Sequence, residues 1–186
     1  KIHRQPCLVV GGGGVAFRKV TMLLRAGAAV TVIAPRVSPA VRDLNDTGKI
    51  ALLRRQFVSS DISDQALIVS ATGIHAIDEL VAAEGRRASI PVNVVDNPDI
   101  SDFIFPAIVD RDPMIVAVST GGAAPVLARE IRSAIEALLP TGLGTLIRNA
   151  EKLRTAVKCR LGSVNERRRF WTQYFRGWRT ATLTGD

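Results

Sequence analysis

Gly11-Gly12-Gly13-Gly14-Val15-Ala16 fits the spacing G-x-G-x-x-A and lies between an apolar run and a helical pattern. A dinucleotide's pyrophosphate needs that order. Gly11 permits the tight turn, Gly13 lets backbone approach the phosphates, and Ala16 allows close helix–strand packing. The helix start that follows offers free N–H groups and the positive end of its dipole. The competing reading is a bare turn in an ordinary α/β domain. Asp96 is the second chemical candidate. It ends an apolar run, and Asn97-Pro98 turns the chain there. A carboxylate so placed sits at the mouth of the crevice, near where a nicotinamide ring would lie, and has the reach a general base needs. The same Asp could equally cap a turn. Ser119-Thr120-Gly121-Gly122 precedes a helix. Its hydroxyls and N–H groups suit a carboxylate, although the local pattern by itself favours helix capping.

One part of the dinucleotide pattern is missing. An acidic residue should follow about 20 positions on to meet the adenosine ribose hydroxyls. The second strand pattern ends instead in Ala34-Pro35-Arg36. Arg36 could bind a 2′-phosphate, stack on adenine or face water, so NAD and NADP both stay open. His3 and His75 lack companions at metal-ligand spacing, and no resident metal site is expected. Arg167-Arg168-Arg169 with Phe170, Trp171, Tyr174 and Phe175 could stack on single-stranded nucleic acid. Their helical spacing favours packing onto the body of the protein.

Strands and helices must alternate to position these residues, and the first half of the chain shows that alternation. Strand patterns cover residues 7–12, 29–35, 50–57, 65–72 and 90–96; helical ones cover 15–28, 38–49 and 77–87. Ligands of such doubly wound sheets lie at the carboxyl ends of the strands. Residues 102–120 then hold two β-rich runs around Asp110-Arg111-Asp112-Pro113, a hairpin or strand pair that could extend the fold or swap with a partner chain. A helix over 121–139 with Pro125 in its first turn follows, and two more after Pro140. The fold class is therefore α/β: a Rossmann-like parallel sheet over residues 1–105, a β-hairpin/helix segment over 106–140, and a small basic helical unit over 141–186.

A chain of 186 residues with 47% hydrophobic and 23% charged content buries a real core and is not disordered. No apolar run is long enough to cross a bilayer, and the N-terminal residues lack a signal peptide's cleavage site. Two isolated cysteines, Cys7 and Cys159, make neither a disulfide framework nor a metal cluster, which fits a reducing cytoplasm. Charge is uneven: residues 1–140 carry a net +1 and residues 141–186 a net +7. The tail suits an anionic partner or is a solvated helical face.

The segments VVGGGGVAFRK, VTVIAP, NVVDNP, FIFPAIVDRDPMIVAVSTGGAAPVLAREIR and ERRRFW occur in this order over nearly all of the chain. Together they resemble the precorrin-2 dehydrogenase/sirohydrochlorin ferrochelatase module, the N-terminal part of sirohaem synthase. The run from Phe103 to Arg132 is the most specific, and ERRRFW favours the fused bacterial enzyme. The resemblance implies NAD-dependent oxidation of precorrin-2 to sirohydrochlorin, then insertion of Fe²⁺, as substrate metal, to give sirohaem. It implies a cytoplasmic homodimer built partly through residues 106–140. In the fused enzyme a uroporphyrinogen-III methyltransferase domain follows; it is absent here, so the chain reads as a fragment or a single-module relative. Carried over by position, Gly14 and Val15 meet the cofactor's phosphates and Pro35 and Arg36 its adenosine end, with Thr72 among the cofactor contacts. Asp96 matches the family's key aspartate, implicated in both reactions. Ser119, Thr120, Gly121 and Gly122 face the tetrapyrrole's carboxylates. SATGIH departs from the family's usual acidic ATDD after the fourth strand. The tetrapyrrole is a polycarboxylate, which gives the basic tail a partner, though the tail could equally dock the methyltransferase domain. A rival reading is a redox-sensing NAD-binding regulator whose basic helices touch nucleic acid; the order of motifs makes neither nucleic acid nor membrane an expected partner.

Overall fold

Short runs of Val, Ile and Leu build a five-stranded parallel sheet. Its strands are β1 (Pro6–Val10), β2 (Ala29–Ile33), β3 (Ala51–Leu53), β4 (Leu67–Ser70) and β5 (Val92–Val94), in the order β3-β2-β1-β4-β5. The register aligns Val10 with Ile33 on one side and with Ser70 on the other. Helices α1 (Gly14–Arg25), α2 (Pro39–Asp46) and α3 (His75–Arg87) complete the crossovers. Side chains alternate along a strand, so β1 feeds two cores. Cys7 and Val9 pack with Ala16, Val20 and Leu23 of α1 and Val41 of α2. Leu8 and Val10 pack with Ile68 of β4 and Val81 and Ala82 of α3. Helices thus cover both faces, as a fully parallel sheet requires. The strand order reverses direction between β1 and β4, and a crevice opens at such a switch point.

The computed structural model describes residues 2–178, which fall into two compact units, Lys1–Phe105 and Pro106–Asp186. All five strands of the first unit are shorter than the sequence patterns predict, and the ends of β3 and β5 show why. β3 stops at Leu53, because Arg55 turns aside to make a two-pronged pair with Asp61, whose Oδ2 also accepts from the Val58 N–H at 2.8 Å. β5 stops at Val94, where Asn97 N–H donates back to the Val94 carbonyl at 3.2 Å. Asp96 therefore lies in a turn two residues beyond the strand, with φ of 60°. The return chain lies along β5: Val92 N–H donates to Asp102 Oδ2, Val94 N–H to Ser101 Oγ, and Asn93 Nδ2 to the Phe103 carbonyl.

In the second unit β6 (Ala107–Arg111) and β7 (Met114–Val118) pair antiparallel across Asp112-Pro113. α4 (Pro125–Leu138), α5 (Leu143–Arg160) and α6 (Val164–Tyr174) follow. Arg111 ties the hairpin to the end of α4 through the Glu136 and Leu139 carbonyls, at 3.3 Å each. The tip meets α5: Arg148 donates to the Asp112 carbonyl at 2.6 Å, and a Cβ on Gly144 would collide with that same oxygen. Residues 106–140 and 141–178 thus pack into one unit. Ser163 and Glu166 cap α6 reciprocally.

Candidate functional site

The glycine turn leaves β1 at the switch point, and its four glycines do different work. Gly11, at φ 121°, lies so close to the Ala71 carbonyl after β4 that a Cβ would collide with it. Gly12 is held as tightly against the Arg36 carbonyl after β2, and its own carbonyl accepts from Ser38 N–H at 2.8 Å. Gly13 and Gly14 are exposed, and a Cβ on either would meet no atom within 4 Å. Gly13 is the N-cap of α1 and supplies no side-chain cap; the first turn holds no acidic residue. The first N–H groups of a helix have no partner within it, so the turn forms an open cradle ringed by unspent donors and a positive dipole end. An anionic pyrophosphate fits it. Val15 is half-buried in that first turn, and Ala16 is fully buried against the sheet.

Pro35 and Arg36 lie exposed after β2. Thr72 stands after β4, beside the carbonyl that Gly11 abuts. Its hydroxyl donates to Asp78 Oδ1 at 2.7 Å and accepts from Ile74 N–H at 3.0 Å, so only its backbone is uncommitted. Ser70 Oγ donates to the same Asp78 oxygen at 2.5 Å. Buried Asp78 thus fixes the loop after β4, a role the sequence reading missed. Its position early in a helix was the available signal.

Asp96 lies on the carboxyl edge of the sheet, exposed and in a left-handed turn. Lys19, on the second turn of α1, also escaped the sequence reading. Its Nζ lies 4.2 Å from the centroid of the Phe105 ring, which packs edge-on against Phe103. Burial pushes the Lys19 ammonium's pKa down, Arg18 adds to this, and the Asp96 carboxylate opposes it. Lys19 and Asp96 are thus within electrostatic reach of one another.

Ser119–Gly122 belongs to the second unit. Ser119 Oγ accepts from Gly121 N–H at 3.2 Å and Thr120 Oγ1 from Ala124 N–H at 3.0 Å, so both hydroxyls brace the turn ahead of α4. Along α6 and at its C-cap the rings of Phe170, Trp171, Tyr174 and Phe175 contact one another, and Tyr174 OH reaches the Leu146 carbonyl of α5. With Pro113, Ile147 and Ala150, Trp171 and Phe175 line a cleft of about 490 Å³. Among the described residues no cluster of three or more His, Cys, Asp or Glu could hold a metal, and no helix is long and apolar enough to cross a membrane.

Sheet order, cradle and switch point together define a Rossmann-type dinucleotide-binding protein. The profile of an NAD(P)-binding family matches residues 1–107, that of the sirohaem biosynthesis protein central region residues 111–138, and that of the sirohaem synthase dimerisation region residues 142–183. The last description falls on α5, α6 and the residues after them, whereas the sequence reading placed dimerisation in 106–140. The siroheme synthase of Methylococcus capsulatus is 50% identical over 177 residues, 95% of this chain and 37% of that protein. That of Nitrosospira multiformis is 46% identical over 180 residues, 95% and 38%. A solved structure of SirC, a precorrin-2 dehydrogenase, superimposes with a TM-score of 0.77 at 25% identity, over 96% of this chain and 89% of that one. The chain belongs to the NAD(P)-binding family whose model covers residues 1–107. It spans under two fifths of the length of these two curated relatives.

Proposed function

We propose that this chain oxidises precorrin-2 to sirohydrochlorin with NAD⁺ and then converts the product to sirohaem by taking Fe²⁺ as a substrate metal. The observation that carries this reading is the open cradle at Gly13 and Gly14, on the same carboxyl edge of the sheet as the turn bearing Asp96. The relatives named siroheme synthase and precorrin-2 dehydrogenase supply the substrate class.

Backbone N–H groups of Gly14, Val15 and Ala16 would hold the pyrophosphate, and the loop of Pro35 and Arg36 would face the adenosine end. NAD⁺, when bound, supplies the acceptor for two electrons. Asp96 takes up the proton that leaves the tetrapyrrole with those electrons. In the second reaction the same carboxylate accepts pyrrole N–H protons as Fe²⁺ replaces them. An exposed turn suits both tasks, since the proton must pass on to water. Ser119–Gly122 would present backbone N–H groups to the tetrapyrrole's carboxylates. A homodimer is the expected assembly, and the length of the relatives fits a methyltransferase domain fused to this module.

The test is anaerobic turnover of precorrin-2 with NAD⁺, then Fe²⁺ or Co²⁺, for the wild type and Asp96→Ala. Wild-type protein should produce NADH. Asp96→Ala should lose at least one activity by about a hundredfold, as a removed general base does, while still binding NAD⁺. Full activity in both steps would take Asp96 out of its role, and no NADH from the wild type would overturn the reading altogether.

A further inference from the structure

Lys19 is half-buried on α1, its ammonium seated over the Phe105 ring. Among the described residues no hydrogen bond or ion pair engages its Nζ. An ammonium carries three donors in fixed tetrahedral array, and a π face satisfies none of them as an acceptor would. Asp96 helps to keep the group charged but does not quench it at ion-pair distance. Arg18, the neighbour on the same helix, only adds positive potential. The result is a pre-positioned cation with open donors beside the reacting edge of the sheet.

We propose that Lys19 anchors an anionic oxygen of the bound ligand next to Asp96, and that this oxygen is a side-chain carboxylate of the tetrapyrrole. The proposal rests on the function proposed above. Two anions could supply the oxygen: a dinucleotide phosphate or a substrate carboxylate. The pyrophosphate already has the N–H donors at the start of α1. Lys19 lies more than a turn further along the helix, gripped by Phe105 and in the field of Asp96, so its donors fall to the substrate. The anchor would hold the macrocycle with its reacting carbon toward the Asp96 carboxylate, which makes Lys19 a substrate-binding residue as well as a charge for steering.

The experiment compares wild type, Lys19→Gln and Lys19→Arg by equilibrium binding of metal-free sirohydrochlorin, followed by absorbance, and of NADH, followed by fluorescence. Lys19→Gln should weaken tetrapyrrole binding about tenfold and flatten its salt dependence, with NADH affinity kept within about twofold, the effect of one charge-assisted hydrogen bond. Lys19→Arg retains the charge and the seat on Phe105 and should restore most of the loss. Unchanged tetrapyrrole affinity in Lys19→Gln overturns the proposal, as does failure of Lys19→Arg to rescue. Loss of NADH affinity alone assigns the oxygen to the dinucleotide and overturns it too. A wild type that binds NADH but no sirohydrochlorin fails one step earlier, and defeats the proposed function before any variant is compared.

Discussion

The turn after β1 and the turn after β7 both lead from a strand through consecutive glycines into a helix, yet they use their polar groups in opposite ways. The first has no hydroxyl. Two of its glycines are pressed against neighbouring carbonyls and two face open space, so the donors at the start of α1 stay unspent. The second has Gly121 and Gly122 at φ of 64° and 87°, and it turns both hydroxyls onto its own backbone. A row of glycines is thus compatible with a ligand cradle or with a self-braced turn. What separates them is whether the donors nearby already have partners.

Substitutions can press on that contrast. Gly11→Ala carries the largest expected effect, because the added methyl has only rigid backbone to displace and φ is unfavourable; stability should fall by about 3 kcal/mol or more in urea unfolding. A variant as stable as wild type would show that the turn is looser than its contacts imply. Gly13→Asp has open space around it, so the fold should survive while NAD⁺ affinity drops about a hundredfold, from charge repulsion and lost backbone approach. Unaltered NAD⁺ affinity would reduce the first turn to the status of the second. Thr120→Ala removes the bond to Ala124 N–H and should cost about 1 kcal/mol of stability, with Thr120→Ser recovering most of it. If Thr120→Ala instead left stability intact and weakened tetrapyrrole binding, the hydroxyl would belong to the ligand.

The smallest effect concerns pH. The Arg55 guanidinium, helped by the Val58 N–H, holds the Asp61 carboxyl below the usual carboxylate range. A depressed folded pKa contributes stability above the unfolded value, about 4, and that contribution disappears as pH falls through the folded one. Melting temperature in wild type should therefore fall more steeply below about pH 4 than in Arg55→Gln. Parallel curves would show the pair to be energetically silent, as many exposed pairs are.

Local patterns made the alternation of strands and helices legible, along with the tight turn at Gly11 and the position of Asp96 just past a strand. They work because a strand's period and a helix start are written in neighbouring residues. The ends of β3 and β5 were not legible, since they depend on Arg55 reaching Asp61 and on a turn that places Asp96 past the strand. Lys19 was invisible for a related reason: its platform, Phe105, is far along the chain, and only the folded sheet brings them together. Asp78 likewise gains its meaning from Ser70 and Thr72 on the adjoining strand and loop. The hydroxyls of the Ser119–Gly122 turn brace the turn itself and do not cap α4, which has no side-chain cap.

The return chain beside β5 has a consequence for how copies of this protein can meet. Strand edges with unpaired backbone invite another chain to add itself. Here the Val92 and Val94 N–H groups are already taken by Asp102 and Ser101, and β3 at the opposite margin is three residues long and followed by Arg54 and Arg55. Both margins of the parallel sheet are blunted against strand addition, by unrelated devices. Among the described residues after Phe105, the apolar side chains of Ile115, Val126, Leu127, Ile131 and Leu138 stay exposed, a surface that strand addition does not use.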